Sequence, residues 1–488
     1  MTLFEPFEIR SMTLPNRLVL PAMVTRLSGE DGVVNDDIRA RYTRFSRGGV
    51  GLIVVEAMAV HSAKSGPLLR ISSQDFAPGL ADLCQRVHGA GPSKVVPQII
   101  HFLKIARSGW RQTVDMLSLE ELDGIVEAYA AAAARARSCG FDGVELHMAH
   151  AYTLSSFLSR LNPRKDEYGG SLANRLRLPL RVMRRVREAV GADFAIGVRF
   201  LGEECIRNGY TVVDAGPIAI ELARAGADYV SLSAGGKFED ARVIPGEPLY
   251  PYTGYSGDRC MPGAAYPDGA NLAIPEAVRG ALRVAGLDTP VVAVGKLGTK
   301  DLAEKVIASG QGDLVGMARA LLADPDLPKK WQRGHEDRVV RCIYGNVCKT
   351  LDENFKRVDC TLWPKKLGQA PESEDGVPPS WPDAGAGLTA EHKQGRVLLR
   401  WKAATDSEGM YGYQVFRGEE VGVTSGSTQA GGGSGALLIH HASVRALSAR
   451  YEDARVVPGA RYSYAVKPYD LAGNRGPMSE SVVVHVPD

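Results

Sequence analysis

Between His147 and Gly170 the chain reads HMAHAYTLSSFLSRLNPRKDEYGG, which places two histidines and a tyrosine within six residues. Imidazole and phenol groups so close together can hold a metal or can work on a carbonyl. Imidazoles commonly bind zinc, but no carboxylate or third histidine stands nearby to complete a ligand set. The other chemistry needs no further ligand. His147 and His150 can grip an oxygen on which negative charge develops, and Tyr152 can act as a general acid.

Such a trio must be held by rigid elements. Eight short apolar runs punctuate the first 368 residues: LVLPAM (18–23), GLIVVEAM (51–58), VVPQII (95–100), GVELHM (143–148), AIGVRF (195–200), YVSLSAG (229–235), PVVAVG (290–295) and LVGMAR (314–319). Most are apolar throughout, as parallel strands buried on both faces are. Helical stretches separate them. Ser118 with Glu121 forms a capping box, and Leu122, Ile125, Val126 and Tyr129 mark a buried stripe. Three helices hand over to strands with one phrase, CGFDGVEL, AGADYVSL and SGQGDLVG, in which Gly140, Gly226 or Gly310 suits a left-handed helix end and an Asp precedes the strand. Repeated βα units of this number favour an α/β fold of the (β/α)8 TIM-barrel type over an open doubly wound sheet.

A barrel puts its chemistry at the C-terminal ends of its strands. Those ends carry Ala22, Met23, Glu56, Ala57, Gln98, His147, Arg199, Ser233, Gly295 and Arg319. After the last two strands, Gly295, Gly316 and Arg319 stand where barrels bind phosphate with backbone N–H groups and a helix N-terminus. With Gln98 and Arg199 this points to a phosphorylated cofactor. The long segment after the sixth strand, including PLYPYTGYSG (248–257), reads either as a cap over the substrate or as a surface excursion.

Composition then shifts. The stretch GQAPESEDGVPPSWPDAGAG (368–387) is rich in Pro, Gly and acids, which puts a linker at 369–383, and residues 384–488 read as a small all-β domain, with GRVLLRWKA, YGYQVFRGE, ARYSYAVKPYD and SVVVHVP as strands. The whole chain has 488 residues, 44% hydrophobic and 23% charged, with a formal net charge of +2. That charge gives no argument for nucleic acid or an anionic membrane, and no apolar run is long enough to span one. Seven scattered cysteines and a start without a signal-peptide core make a reduced, cytoplasmic setting the expectation.

Residues 1–368 resemble the Old Yellow Enzyme family of FMN-dependent ene-reductases. The phrases NRLVLPAM, VVPQIIH, HMAHAYTLSSFLSRLNPRKDEYGGSLANR, IGVRF and GDLVGMARALLADPDL carry the resemblance. It implies FMN over the barrel mouth and NAD(P)H as reductant. Pro21, Ala22, Met23 and Val24 would line one flavin face, and Ala57 and Gln98 would meet the ring. Arg199 would lie near its N1 and C2 carbonyl, and Gly295, Lys296, Gly316, Ala318 and Arg319 would surround the phosphate. His147 and His150 would bind the carbonyl oxygen of an enone or enal while Tyr152 protonates its α-carbon. Arg26 stands where one branch has a substrate-contacting tyrosine. No metal is expected, and homo-oligomerisation is left open. A second branch, of 2,4-dienoyl-CoA reductases and trimethylamine dehydrogenase, holds a 4Fe–4S cluster on four cysteines. Here Cys342, Cys348 and Cys360 remain but Gly345 replaces another, so the expectation is a degenerate site kept as structure. A non-redox phosphate-binding barrel is the alternative outside the family. Residues 384–488 resemble a fibronectin type III domain, with Tyr462 at its corner tyrosine.

Overall fold

The chain starts with an antiparallel hairpin, β1 (Phe7–Ile9) and β2 (Met12–Leu14). A parallel barrel follows, made of β3 (Leu18–Leu20), β4 (Leu52–Ala59), β5 (Lys94–Ile100), β6 (Gly143–Met148), β7 (Ala195–Glu203), β8 (Tyr229–Ala234), β9 (Val291–Val294) and β10 (Leu314–Gly316). It closes because β10 pairs with both β9 and β3. This computed structural model describes residues 2–63, 66–104, 111–241, 257–363, 370, 378–406, 410–420, 438–445, 448–470 and 474–487. The chain divides into units Met1–Thr361 and Leu362–Asp488. The segment 248–257, a cap or a surface excursion by sequence, and the linker at 369–383 lie largely outside the described residues.

Alternation along the strands explains why the apolar runs are continuous. Val19, Leu52, Val54, Val96, Val292 and Leu314 point into the barrel, where Ile9, Met12 and Leu14 of the hairpin join them in one cluster. Their neighbours Leu18, Leu20, Ile53, Val55, Val95, Val291 and Val315 point outward into the larger core with the helices. Both faces of each strand are therefore buried, and period-2 alternation serves two cores. Two runs are shorter than the sequence implied. The first stops at Leu20 because Pro21 has no N–H for the ladder. The last stops at Gly316, and Ala318–Ala323, a stretch of strong helix formers, begins a helix that carries Ala318 and Arg319. The hairpin itself was not anticipated.

The three repeated phrases do one structural job. Gly140, Gly226 and Gly310 have φ of 89°, 98° and 73° and turn the chain out of a helix. The Asp that follows pairs twice with the neighbouring strand. Asp142, Asp228 and Asp313 donate their N–H to the carbonyls of Val95, Ile196 and Val291, at 2.9, 2.7 and 2.9 Å. Their carboxylates accept the N–H of those same residues, at 2.8, 2.7 and 3.0 Å. The capping box at Ser118 is present with both of its bonds.

In the second unit, β11 (Thr389–Lys393), β12 (Arg396–Arg400), β13 (Met410–Glu420), β14 (Ile439–Arg445), β15 (Arg450–Asp453), β16 (Arg461–Asp470) and β17 (Val482–His485) form two antiparallel sheets. Their orders are β11-β12-β15 and β14-β13-β16-β17. Val397, Leu399, Trp401, Tyr413, Val415, Tyr464 and Val466 form their shared core. The four strand phrases fall on β12, β13, β16 and β17, whereas β11, β14 and β15 were not anticipated. Among the described residues no helix is long and apolar enough to cross a membrane.

Candidate active site

One cavity lies at the C-terminal ends of the barrel strands. Pro21, Ala22, Met23, Val24, Arg26, Ala57, Gln98, His147, His150, Tyr152, Arg199, Gly295, Lys296, Gly316, Ala318 and Arg319 all line it. Strand register brings several of them level. His147 on β6 stands opposite Arg199 on β7, and Arg199 opposite Ser231 on β8. The Arg199 guanidinium donates to Ser231 Oγ at 2.9 Å. Gln98 on β5 is opposite Glu145 and donates its amide N–H to Glu145 Oε1 at 2.7 Å. A carboxylate only accepts, so this bond fixes the Gln98 amide and leaves its oxygen for the cavity. Burial raises the Glu145 pKa, and Arg199 works against that rise. Glu56, at a strand end by sequence, faces the other way. Its Oε2 accepts from Thr25 N–H and from the Tyr42 hydroxyl, at 3.0 and 3.2 Å.

The opening trio is assembled by a sharp departure from the strand. His150 and Ala151 both adopt left-handed φ, 57° and 58°, a conformation that is costly for side-chain-bearing residues and typical of functional sites. The turn swings His150 back beside His147, with ring centroids 5.1 Å apart, and Tyr152 lies 5.2 Å from His147. Gly236 allows this, because a Cβ there would stand 2.8 Å from His150 Cα. His147 is 3% exposed, and its Nδ1 is buried without a hydrogen-bond partner. That leaves Nε2 as the edge able to meet a ligand. His150 Nε2 lies 2.8 Å from Ser233 Oγ and 3.3 Å from Cys260 Sγ. Burial, with Arg199 and Lys237 nearby, lowers the His147 pKa to about 3 and holds His150 well below its ordinary value. Both imidazoles are therefore neutral at physiological pH, and each has one N–H to donate.

Two cations mark the other end of the cavity, under β9 and β10. The Lys296 ammonium reaches the carbonyls of Ala264 and Tyr266, and Arg319 donates to Pro262 O at 2.8 Å and Asn346 Oδ1 at 2.5 Å. Chemically this set fits FMN: an amide and a guanidinium at the centre for a polar ring, two cations at the edge for a phosphate. Arg26 lines the mouth with its guanidinium engaged, on Asp352 Oδ1 at 2.7 Å, Pro67 O at 3.2 Å and the Phe355 ring at 4.5 Å.

Sequence reasoning missed Lys237, Cys260, Tyr344 and Asp352. Lys237 is 6% exposed, its Nζ stands 4.6 Å from the Tyr152 ring centre, and burial with Arg111 lowers its pKa to about 7. It follows the sixth strand by three residues, beyond the strand ends considered. Tyr344 and Asp352 lie in the cysteine-bearing phrase, which drew notice only for its thiols. Cys260 had no signal in the sequence. Buried Glu239 places it, by accepting the backbone N–H groups of Asp258 and Arg259 at 2.6 and 2.9 Å.

The family model for the NADH:flavin oxidoreductase / NADH oxidase family matches residues 2–238 and 281–338. An NADH oxidase of Thermoanaerobacter brockii is 31% identical over 430 residues, which cover 81% of this chain and 62% of that protein. An NADPH dehydrogenase of Clostridium acetobutylicum is 31% identical over 366 residues, 68% of this chain and 99% of that protein. The solved structure of a 2-naphthoyl-CoA reductase complex superposes with a TM-score of 0.65 at 23% identity, over 75% of this chain and 57% of that one, a likeness of fold. The chain thus spans about three fifths of the length of the NADH oxidase it matches. Barrel, cavity and relatives agree: the chain belongs to the NADH:flavin oxidoreductase / NADH oxidase family of FMN-binding oxidoreductases, that of the Old Yellow Enzymes.

Proposed function

We propose that this chain uses FMN and NAD(P)H to reduce the activated C=C bond of α,β-unsaturated carbonyl compounds. The observation that carries the reading is the pair of neutral imidazoles, His147 and His150, with the Tyr152 phenol beside them. FMN, when bound, supplies hydride. The two histidines hold the substrate oxygen, and their N–H groups stabilise the charge that builds there as the double bond is reduced. Because both rings are neutral, they donate hydrogen bonds without protonating the oxygen outright. Tyr152 then gives its proton to the α-carbon. Lys237 above its ring favours the phenolate left behind. Arg199 keeps a positive charge at the centre of the site, Gln98 offers its amide to the flavin ring, and Pro21 to Val24 with Ala57 form the apolar bed beneath it. Arg26, pinned by Asp352, walls the substrate side.

We read Cys342, Cys348 and Cys360 as structural, because Gly345 stands where the iron–sulfur branch has a fourth cysteine. We read the second unit as a fibronectin type III-like binding or spacing module. Its three- and four-stranded sheets support this, as does Tyr462, whose hydroxyl accepts the Val457 N–H at 3.1 Å. The test of the catalytic reading is a spectrum of the purified protein with iron and sulfide analysis, followed by NAD(P)H consumption with cyclohexenone. Bound-flavin bands, negligible iron and enone-dependent turnover are expected. A colourless protein, or a yellow one inert to every enone and enal offered, would overturn it.

A further inference from the structure

The phrase RCIYGNVC (341–348) serves neither barrel closure nor the carbonyl site, yet it is tightly placed. Tyr344 and Asn346 both adopt left-handed φ, 52° and 55°. Asn346 is bound on two sides: its Oδ1 accepts from Arg319 at 2.5 Å, and its Nδ2 donates to Met261 O at 2.7 Å. The turn thrusts Tyr344 into the cavity at its cationic end. Lys296 Nζ stands 4.7 Å and the Arg319 guanidinium 4.9 Å from the centre of its ring. Its hydroxyl lies against Gly298, close enough that a Cβ on that residue would come within 2.3 Å of it. The Gly298 backbone hydrogen-bonds the hydroxyl. Thr299, next in the chain, is the N-cap of helix Lys300–Ser309.

Two cations over the ring face, a helix N-terminus beyond Gly298 and a phenolic hydroxyl thus share this end of the cavity, where Lys296 Nζ also lies 3.4 Å from Asp268 Oδ1. The first three call for an anion. The hydroxyl accepts from Gly298 and keeps its own proton to give, and burial raises its pKa, so it stays protonated. We propose that Tyr344 is a binding residue for the phosphate of the flavin, its O–H donating to a phosphate oxygen drawn there by Lys296 and Arg319. This rests on the FMN reading above. It gives the cysteine-bearing phrase a purpose that needs no iron: the segment closes the phosphate end of the site.

The test uses the full-length chain stripped of flavin and titrated with FMN and with riboflavin, each followed by quenching of flavin fluorescence. Tyr344→Phe keeps the ring and both cation contacts and removes only the hydroxyl. It should weaken FMN binding on the order of tenfold, the loss of one hydrogen bond to a charged group, and leave riboflavin binding unchanged. Riboflavin affinity also reports that the variant is folded. The 31P resonance of bound FMN should move between wild type and variant. Unchanged or tighter FMN binding, the latter meaning that the hydroxyl merely competes for Gly298, would overturn the proposal, as would identical 31P resonances. Wild-type protein that binds neither flavin would bring down the FMN reading itself.

Discussion

The two rims of the barrel solve opposite problems with the same kinds of residue. At the lower rim Asp142, Asp228 and Asp313 each take a backbone N–H and a cation. The cations are Lys94, Arg187 and Arg279, at 3.1, 2.6 and 2.6 Å, and the His88 imidazole lies 2.8 Å from Asp142. At the upper rim pairing is incomplete or strained. His147 keeps a buried nitrogen without a partner, His150, Ala151, Lys296 and Tyr344 are left-handed, and Lys296 is shared between carbonyl oxygens and a long contact to Asp268 at 3.4 Å. The lower rim uses charge to close helix–strand turns, and the upper rim holds polar groups ready for something that the protein itself does not provide. Conserving stability at one end allows strain at the other.

Replacing both His147 and His150 with Ala breaks this contrast where the expected effect is largest. Each donor lost from a developing oxyanion costs about 3 kcal/mol, so enone reduction should slow on the order of a thousandfold or more. Reoxidation of the flavin by molecular oxygen needs no carbonyl grip and should persist. Stability should change little, or even rise, since an unpaired buried nitrogen leaves with His147. Stopped-flow traces with cyclohexenone decide the matter, and near wild-type rates would remove the pair from the chemistry.

The lower rim should answer in the reverse sense. Asp313→Ala strands the Val291 N–H and leaves Arg279, 9% exposed, with only the Gly310 carbonyl among its named partners. The expected loss is about 3 kcal/mol of unfolding free energy, with turnover per folded molecule unchanged. A chemical denaturation midpoint equal to wild type would show that the repeated Asp is ornamental.

Legibility followed the same division. The lower rim was readable because its signal is local and repeated: a glycine, an aspartate and an apolar run recur in CGFDGVEL, AGADYVSL and SGQGDLVG, so one physical argument served three times. His147, Gln98 and Arg199 were also readable, because a strand end points its residues by period-2 parity. What stayed hidden is non-local. Glu145 matters through its register with Gln98, and Tyr344 through a turn that crosses to β9 and β10. Cys260 depends on the hold of Glu239 on a distant loop. In the second unit β11, β14 and β15 escaped notice because their runs, TAEHK, IHHASVR and RYED, are polar on alternate positions and short of apolar signal.

Acid separates the rims more gently. The pKa of His147 falls to about 3, of His101 to about 3 and of His61 to about 4, all below the ordinary value of 6.5. The unfolded chain therefore takes up protons first as pH falls. Stability is complete above about pH 6.5 and declines by up to about 1.4 kcal/mol per pH unit for each such histidine, until the folded value is reached. Asp142 has the same sign in a lower window. Its pKa lies below the ordinary 3.8, chiefly through His88 and the Val95 N–H working against burial, so its contribution holds until the medium is more acidic still. Between pH 6.5 and 4.5 the histidine loss is partly offset by Glu56, whose pKa burial raises to about 7, so that the folded chain takes up that proton first. Urea midpoints at pH 7, 6 and 5 should fall steadily, and less steeply in His147→Asn. Equal slopes in wild type and His147→Asn would mean that the His147 imidazole is not buried neutral.

Cys342→Ser asks whether the upper rim also holds a metal, and it should give the smallest effect of all. The Cys342 sulfur accepts the Tyr344 N–H at 3.4 Å, and burial pushes its thiol upward. Gly345 stands where the four-cysteine branch has a ligand, and a Cβ there would meet only Ile343, at 3.8 Å. Among the described residues no three His, Cys, Asp or Glu side chains come together as metal ligands. A hydroxyl can accept the same N–H, so stability should shift by no more than about 0.5–1 kcal/mol, and the visible spectrum and iron content should match wild type. If iron or a broad shoulder beyond the flavin bands were present in wild type and lost in Cys342→Ser, the cysteine phrase would be a cluster site. The upper rim would then be built around electron transfer as well as hydride transfer. A matching spectrum leaves the phrase as a structural clamp, with the turn from Cys342 to Asn346 holding Tyr344 and Arg319 in place and the thiol contributing one hydrogen bond.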